Sequence, residues 1–224
     1  MNFDDILRNF DAQTRKPSDI EAESKVHDLQ LLSTAWIQER MSPEILDYEG
    51  DLIDRILERL RKQVELIELN SIELQQQKKE IKLILVIVES ELDRVSFLIR
   101  GYTRARLAKI DKYSLYIRNS DDEIKKLSNS ELTYMGRHLE LLEELFQNQF
   151  LNRLPESLQA LDDTGGGISM IEEPDLDRAV FIKVINPSVI ELDNEEIELT
   201  KGSVFVMRYR AIRHMVSTGD VVLI

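Results

Sequence analysis

The spacing of apolar side chains changes near residue 155, and this change limits the possible folds more than any other feature of the sequence. Before it, apolar residues recur at helical intervals, and only two prolines and three glycines interrupt the first 154 residues. After it, three prolines and three glycines fall between residues 155 and 187, among short runs that alternate apolar and polar residues. A period near 3.6 is typical of amphipathic helices and a period of two is typical of strands. We therefore predict an α+β fold, mainly α.

The same change predicts the domain organisation. We expect an N-terminal helical bundle with one long helix over 26–154, a linker over 155–173 and a small β-rich C-terminal domain over 174–224. Residues 1–25 form a partner-binding peptide and a flexible tether in this prediction. A unit of about 50 residues is marginally stable alone, so the C-terminal domain should need a surface to dock on.

The long helix is predicted between about residues 79 and 118. Its apolar side chains repeat with alternating steps of three and four, and the members of this stripe are Leu85, Val88, Leu92, Val95, Ile99 and Tyr102. The stretch Leu83–Val88 is apolar all round, and such a helix is expected to be covered on every side. One chain of this size supplies few helices as cover, which favours burial by other chains.

The other elements are predicted from shorter patterns. Leu29, Leu32 and Trp36 indicate a helix that ends before Pro43. A second helix follows Asp51, and its apolar face is Leu52, Ile56, Leu60, Val64 and Ile67. A third begins at a capping box of Ser128 and Glu131 and buries Leu132, Met135, Leu139, Leu142 and Phe146. In the C-terminal part we expect strands at 180–184, 189–192, 197–199, 203–207 and 221–224, the second and third forming a hairpin, and a helix at 209–216.

Residues 3–11 form an amphipathic segment whose apolar face is Phe3, Ile6, Leu7 and Phe10. Asp4 and Asp5 fall in the first turn, where acids favour the helix dipole. The polar stretch 12–25 then separates this small face from the bundle. The pattern favours a helical ligand for a groove on another protein, and the alternative is a helix docked on its own domain.

Residues 94–118 contain seven bases and a single acid, Asp111. A nucleic-acid-binding helix presents its bases on one face, whereas these bases point all around the helix at about 100° per residue. The chain as a whole carries a net charge of −13, which opposes binding to phosphates. Ion pairs within the chain or with partners are the favoured interpretation, and DNA binding through 94–118 stays open as the alternative.

The sequence lacks the usual patterns of a catalytic or metal site. Cysteine is absent, and the three histidines have no metal-ligand spacing. Asp163-Thr164-Gly165 is the triplet of aspartic proteases, but it occurs once and in a glycine-rich segment rather than on a strand. Gly165–Gly167 is not followed by the Lys-Ser/Thr of a phosphate-binding loop. We expect no catalytic, cofactor or metal site, and no enzyme.

Three groups of residues resemble one known family. They are Arg94-x-x-Phe97-x-x-Arg100-x-Tyr102-x-Arg104-x-Arg106-Leu107-x-Lys109-Ile110-x-Lys112-Tyr113, Pro174-Asp175-Leu176-Asp177-x-x-Val180-Phe181, and the tail from Leu199-Thr200-x-Gly202-Ser203 to Leu223-Ile224. On these motifs, residues 30–224 resemble the "Go" (five) subunit of the GINS DNA-replication complex, of fungal type. The resemblance implies a helical domain followed by a small β-rich domain, three sister subunits in a heterotetramer, and a non-catalytic role in the replicative helicase in the nucleus.

The resemblance also implies particular partners. They are the three sister subunits, the Mcm ring, the other helicase accessory protein and a trimeric replisome hub linked to polymerase alpha, with no cofactor, no membrane and no direct DNA contact. The hub-binding candidates are Asp4, Asp5, Ile6, Leu7 and Phe10, which are similar to a docking peptide of fungal members. The subunit-interface candidates are Leu92, Val95, Ile99, Tyr102, Arg104, Arg106, Lys109, Leu223 and Ile224. A self-associating coiled-coil scaffold without fixed partners is a further alternative.

Overall fold

The computed structural model describes residues 17–74, 79–155, 159, 161, 171–192 and 195–224. The chain divides into two compact units. The first comprises residues up to 33 together with 51–96, and the second comprises 34–50 together with 97–224. The helices are α1 (Pro17–Met41), α2 (Gly50–Leu74), α3 (Lys79–Arg118), α4 (Asp121–Lys125), α5 (Asn129–Gln149) and α6 (Tyr209–Thr218). The strands are β1 (Ala179–Val184), β2 (Ser188–Leu192), β3 (Glu195–Leu199), β4 (Val204–Arg208) and β5 (Val221–Leu223), and a 3-10 turn spans Leu151–Arg153.

The first unit has a helical core in which one buried acid is paired. Its buried apolar residues are Leu32, Leu52, Ile53 and Ile56. Asp28 is also buried, and its carboxylate pairs with Arg59 at 2.6 Å and with Arg55 at 3.3 Å. Each arginine keeps part of its side chain in solvent. The helix pairing of this unit therefore combines apolar packing with a neutralised buried charge.

The helical core of the second unit forms between α3 and α5. Its buried residues are Ile45, Ile110, Tyr113, Ile117, Leu127, Met135 and Leu139. The backbone of α3 leaves helical geometry at Tyr113 (φ −108°, ψ 21°). The start of α5 carries the predicted capping box: the Ser128 hydroxyl accepts from the backbone N–H of Glu131, and the Glu131 carboxylate accepts from the N–H of Ser128. These reciprocal bonds satisfy two backbone donors that the helix start leaves free.

A three-stranded antiparallel sheet in the order β4-β1-β5 forms the second core of this unit, beside the hairpin of β2 and β3. Val180, Ile182 and Val184 point inward from β1, because successive side chains of a strand point to opposite faces. Gly219 ends α6 in the left-handed conformation (φ 79°), which allows the chain to turn directly into β5. The core packs against Met41 and Leu46 of the helical part. The strand-rich segment thus has the docking surface that its small size predicts.

The predicted fold class is confirmed: helices occupy most of the chain and a small antiparallel strand region follows them. The bounds of the long helix, the capping box and the β2–β3 hairpin are also confirmed. Residues 17–25, which are predicted as part of a flexible tether, belong to α1. Proline suits a first helical turn because its missing N–H needs no partner there. The short helix α4 was not predicted. Residues 174–224 also share a compact unit with helical residues rather than standing apart.

Candidate interaction site

Arg106 lies at the centre of the second unit, with its side chain fully buried. It belongs to the buried stripe of α3, which consists of Leu98, Tyr102, Arg106, Ile110, Tyr113 and Ile117. Its guanidinium donates to Oε1 and Oε2 of Glu131 at 2.7 and 3.1 Å, to Oε2 of Glu39 at 3.1 Å, and to the carbonyls of Leu46 and Lys126 at 2.7 and 2.9 Å. This one side chain therefore connects α1, α3, α5 and the segment after α1.

The surroundings keep Arg106 charged. Burial by itself would lower the pKa of the guanidinium, but the hydrogen bonds that it donates to Glu131 and the charge of Glu39 outweigh burial and raise the pKa. The rings of Tyr48 and Tyr102 lie 5.4 and 5.7 Å from the guanidinium carbon, within cation–π range. Burial also raises the pKa of Tyr102 to about 12, so that this ring stays neutral. The result is a buried cation between two carboxylates and two aromatic rings.

Lys109 extends this network by one turn of α3. Its ammonium donates to Oε1 of Glu39 at 2.7 Å, to the carbonyl of Glu39, and to the carbonyl of Glu44 at 2.7 Å. Burial lowers the pKa of Lys109, and the charge of Glu39 opposes that effect. Because Glu39 pairs with Arg106 as well, its carboxylate is shared between two bases of the same helix. Lys109 thereby holds the backbone of residues 39–44 against α3.

Glu44 is the second focus of charge in the unit, and we call Glu44, Glu123, Lys126, Tyr209 and Arg213 the Glu44 cluster. The Glu44 carboxylate, 4% exposed, accepts from the Tyr209 hydroxyl at 2.8 Å, from Nε of Arg213 at 2.7 Å and from Lys126 at 3.3 Å. Burial would raise the pKa of this carboxyl, but the bonds from Arg213 and Tyr209 outweigh it, and the pKa is lowered. Glu123 pairs in turn with Lys126 at 2.8 Å and Arg213 at 3.3 Å. The cluster links α6 to the helical part of the unit.

Several of the predicted subunit-interface residues are buried within this chain. Tyr102, Arg106 and Leu223 are at most 2% exposed, so their side chains offer no surface to another chain. Lys109 is 12% exposed and bound to Glu39. The helix stripe accounts for this difference from the expectation, because a base at a core-facing position has the same local sequence as a base that faces a partner. The spacing of Arg106 in phase with Leu98, Tyr102 and Ile110 could have indicated its burial.

The remaining interface candidates keep accessible surface. Leu92, Val95 and Ile99 are half-buried on α3, Arg104 is exposed, and Ile224 is 42% exposed. Their contact with other subunits stays a prediction. The hub-binding candidates, Asp4, Asp5, Ile6, Leu7 and Phe10, lie outside the residues that the structure describes. Residues 162–170, which include the Asp163-Thr164-Gly165 triplet, also lie outside them.

The bases of 94–118 are mostly used within the chain. Arg94 pairs with Glu91, Arg118 pairs with Glu143, and Arg106 and Lys109 pair with buried acids. Lys112 lies over the ring of Tyr113, 5.0 Å from its centre. These contacts confirm the intramolecular ion pairs that the scattered directions favoured. Fewer basic side chains are therefore available to bind the phosphate backbone of a nucleic acid than the sequence suggests.

The outer sheet face is an exposed apolar surface. We use this name for Phe181, Val204, Val206 and Ile224, which are 53%, 53%, 57% and 42% exposed. Phe181 lies directly opposite Val206 in the β1–β4 register, and the N–H of Ile224 bonds to the carbonyl of Phe181. Lys183 and Arg208 are exposed on the same face. A contiguous apolar patch with a charged rim is typical of a protein-binding surface.

The first unit has its own exposed apolar surface on α3. Leu83, Val86 and Ile87 are 55–63% exposed, so the residues that the structure describes leave these three side chains of the predicted all-round apolar stretch largely uncovered. A groove of about 510 Å³ adjoins it. Its apolar lining consists of Leu29, Ile56, Leu60, Ile87, Val88, Leu92 and Val95. Coverage of this surface by other chains stays a prediction.

The described part of the chain has neither a metal-binding cluster nor a membrane-spanning helix. Within it, no group of three or more His, Asp or Glu side chains is arranged to hold a metal ion. Among the same residues, no helix has the length and apolar character needed to cross a bilayer. The polar side chains that are brought together, in the Glu44 cluster and around Arg106, bind one another, although Oε2 of Glu123 is buried without a hydrogen bond to any described residue.

Comparison with known proteins gives a consistent set of relatives. Residues 20–150 match the family described as the GINS complex protein helical bundle domain, and residues 174–224 match the DNA replication complex GINS protein SLD5 C-terminus. The chain is 38% identical, over its full length and 85% of the relative, to the DNA replication complex GINS protein SLD5 of Yarrowia lipolytica. The proteins of the same name from Schizosaccharomyces pombe and Saccharomyces cerevisiae are 36% and 35% identical, over 88% and 90% of the chain and 92% and 82% of each relative. The chain therefore belongs to the SLD5 family of DNA replication complex GINS proteins.

Proposed function

We propose that this chain is a non-catalytic scaffold subunit of a heterotetrameric GINS complex and acts in DNA replication as an accessory of the replicative helicase. Its relatives are named as proteins of that complex, and the chain matches most of the length of each of them. The second unit uses its buried acids and bases to neutralise one another, which is a structural use of charge. The proposed mechanism is binding geometry, in which rigid elements present apolar surfaces to sister subunits.

The observation that carries this proposal is the outer sheet face. Its four apolar side chains each expose between 42% and 57% of their area, whereas the opposite face of the same sheet packs into the core. Burial of apolar surface contributes roughly 25 cal/mol per Å², so a partner that covers this face gains affinity from it. We infer that a sister subunit covers Phe181, Val206 and Ile224. The half-buried residues of α3, Leu92, Val95 and Ile99, are the second proposed contact.

The test is assembly with the three proposed sister subunits after co-expression. Phe181→Asp combined with Val206→Asp places two charges on the outer sheet face, and we expect a complex that lacks at least one sister subunit. Val189→Asp is the matched control, because Val189 is as exposed (57%) but lies on the separate β2–β3 hairpin. Full assembly of the double variant would reject the outer sheet face as the contact.

The wider partners are proposed from the family. We propose that the assembled complex bridges the Mcm ring and the other helicase accessory protein, that it acts in the nucleus, and that the source is fungal, as for the relatives named above. We also propose that Asp4, Asp5, Ile6, Leu7 and Phe10 bind a trimeric hub connected to polymerase alpha. A trimeric hub offers several binding sites at once, and this multivalency would strengthen the weak binding of a peptide of this kind.

The hub proposal has a separate test. Ile6→Ala with Leu7→Ala removes two residues of the predicted apolar face, and we expect loss of hub binding with normal assembly of the heterotetramer. Loss of the heterotetramer in this variant would instead place residues 3–11 in the subunit interface.

A further inference from the structure

The strand-rich segment 174–224 meets the helical part of the second unit through two kinds of contact. The apolar contact includes Met41 and Leu46, which pack against the strand-rich core. The polar contact centres on the carboxylate of Glu44, which binds Tyr209 and Arg213 of α6, and Arg213 also bonds to Glu123 at 3.3 Å. Apolar packing is non-directional, whereas hydrogen bonds require defined angles. The apolar contact therefore leaves the angle between the two parts undefined, whereas the polar contact can define it.

Glu44 is itself held in place from the helical side. Its carbonyl accepts from the Ser42 hydroxyl at 2.8 Å and from Lys109 at 2.7 Å, and its carboxylate accepts from Lys126. Lys109 is fixed in turn by Glu39, which also pairs with Arg106. The Glu44 carboxylate is thus fixed from the helical side and bound by two side chains of α6. Its orientation therefore determines the orientation of that helix.

We propose that Glu44 is a positioning residue that sets the orientation of the segment 174–224 on the helical part, while Met41 and Leu46 provide attraction without a unique angle. Arg213 approaches with Nε and Nη2 on the two carboxylate oxygens, a bidentate geometry that fixes direction as well as distance. Tyr209 adds a third bond one turn earlier on α6. The same geometry fixes the direction in which Phe181 and the rest of the outer sheet face point. This inference concerns the chain alone and does not rest on the proposed function.

The test measures a distance between the two parts in the full-length chain. The absence of cysteine allows two spin labels to be introduced at chosen positions. Glu140→Cys on α5 and Lys183→Cys on β1 are suitable because both residues are exposed. We expect pulsed electron resonance to give one narrow distance distribution in this background, and a broad or shifted distribution after Glu44→Gln, which keeps the size but loses the charge.

Two arginines of α6 provide matched comparisons. Arg213→Gln removes the bidentate partner, and since this side chain is 45% exposed, the variant should fold and broaden the distribution as Glu44→Gln does. Arg213→Lys, which keeps charge without the bidentate geometry, should give an intermediate width. Arg210→Gln is the control, because Arg210 pairs with Asp177 inside the strand-rich segment and should leave the distribution narrow. A distribution that stays narrow and unshifted in the folded Arg213→Gln variant would overturn the proposal, whatever the stability of Glu44→Gln.

Discussion

Gly101 of α3 lies directly against the indole of Trp36 on α1: a Cβ built at Gly101 would be 3.0 Å from Nε1 and 3.1 Å from Cε2 of that ring. The indole also meets the edge of Phe97, with ring centres 6.0 Å apart. Two helices can approach this closely only where one of them lacks a side chain. Glycine in the middle of a helix costs about 1 kcal/mol relative to alanine, so the close packing here outweighs helix propensity.

Gly101→Ala should therefore lower the free energy of unfolding. The gain in helix propensity is about 1 kcal/mol, and overpacking costs typically about 1–3 kcal/mol, so we expect a net loss on the order of 1 kcal/mol. Gly136→Ala on α5 is the matched control, because nothing lies within 4 Å of a Cβ at that position, and it should stabilise the chain. Urea unfolding of both variants measures the difference. Equal stabilisation by both substitutions would contradict the close approach of the two helices.

Arg106→Met should destabilise the chain far more than Arg104→Met. Removing Arg106 leaves Glu39 and Glu131 buried with fewer partners, and breaking a buried ion pair costs about 3–5 kcal/mol. Arg104 lies two residues earlier on α3 and is exposed, and a surface substitution of this kind changes stability by about 0.5 kcal/mol or less. Thermal unfolding followed by circular dichroism distinguishes the two. A similar midpoint for both variants would show that Arg106 is not part of the buried core.

The stability of the chain should depend on pH through Glu44. The bonds from Arg213 and Tyr209 hold the pKa of Glu44 below its ordinary value of 4.5 in the folded chain. A lowered folded pKa means that the unfolded chain takes up a proton first, so the contribution is complete above pH 4.5 and is lost as the pH falls through the folded pKa. The difference in unfolding free energy between the parent and Glu44→Gln should shrink over that range. A difference that stays constant on acidification would contradict this role of the carboxylate.

Much of the secondary structure is predictable from local patterns. Ser128 and Glu131 predict the start of α5 because a capping box needs only four consecutive residues. The alternation of Val180, Ile182 and Val184 predicts β1 because burial on one face imposes a period of two. The beginning of α1 at Pro17 could not be predicted in the same way, because residues 17–25 are polar and their sequence carries no apolar stripe.

The candidate site is less predictable because its partners are distant in sequence. Glu44 and Arg213 are 169 positions apart, and Arg106 and Glu39 are 67 apart. Local periodicity gives no information on which acid approaches which base. The sequence correctly indicates that the bases of α3 cannot form a single face, but it does not distinguish the buried Arg106 from the exposed Arg104. That distinction depends on the packing of α1, α3 and α5 around one point.

The central claim, that this chain is a subunit of a larger assembly, is tested most directly by light scattering coupled to size exclusion. Leu83, Val86 and Ile87 of the first unit are more than half exposed, and the outer sheet face of the second unit is similarly open. We predict that the chain alone self-associates through these surfaces and that co-expression with the three proposed sister subunits gives a stable equimolar heterotetramer. A folded, monodisperse monomer that does not bind those subunits would contradict the account.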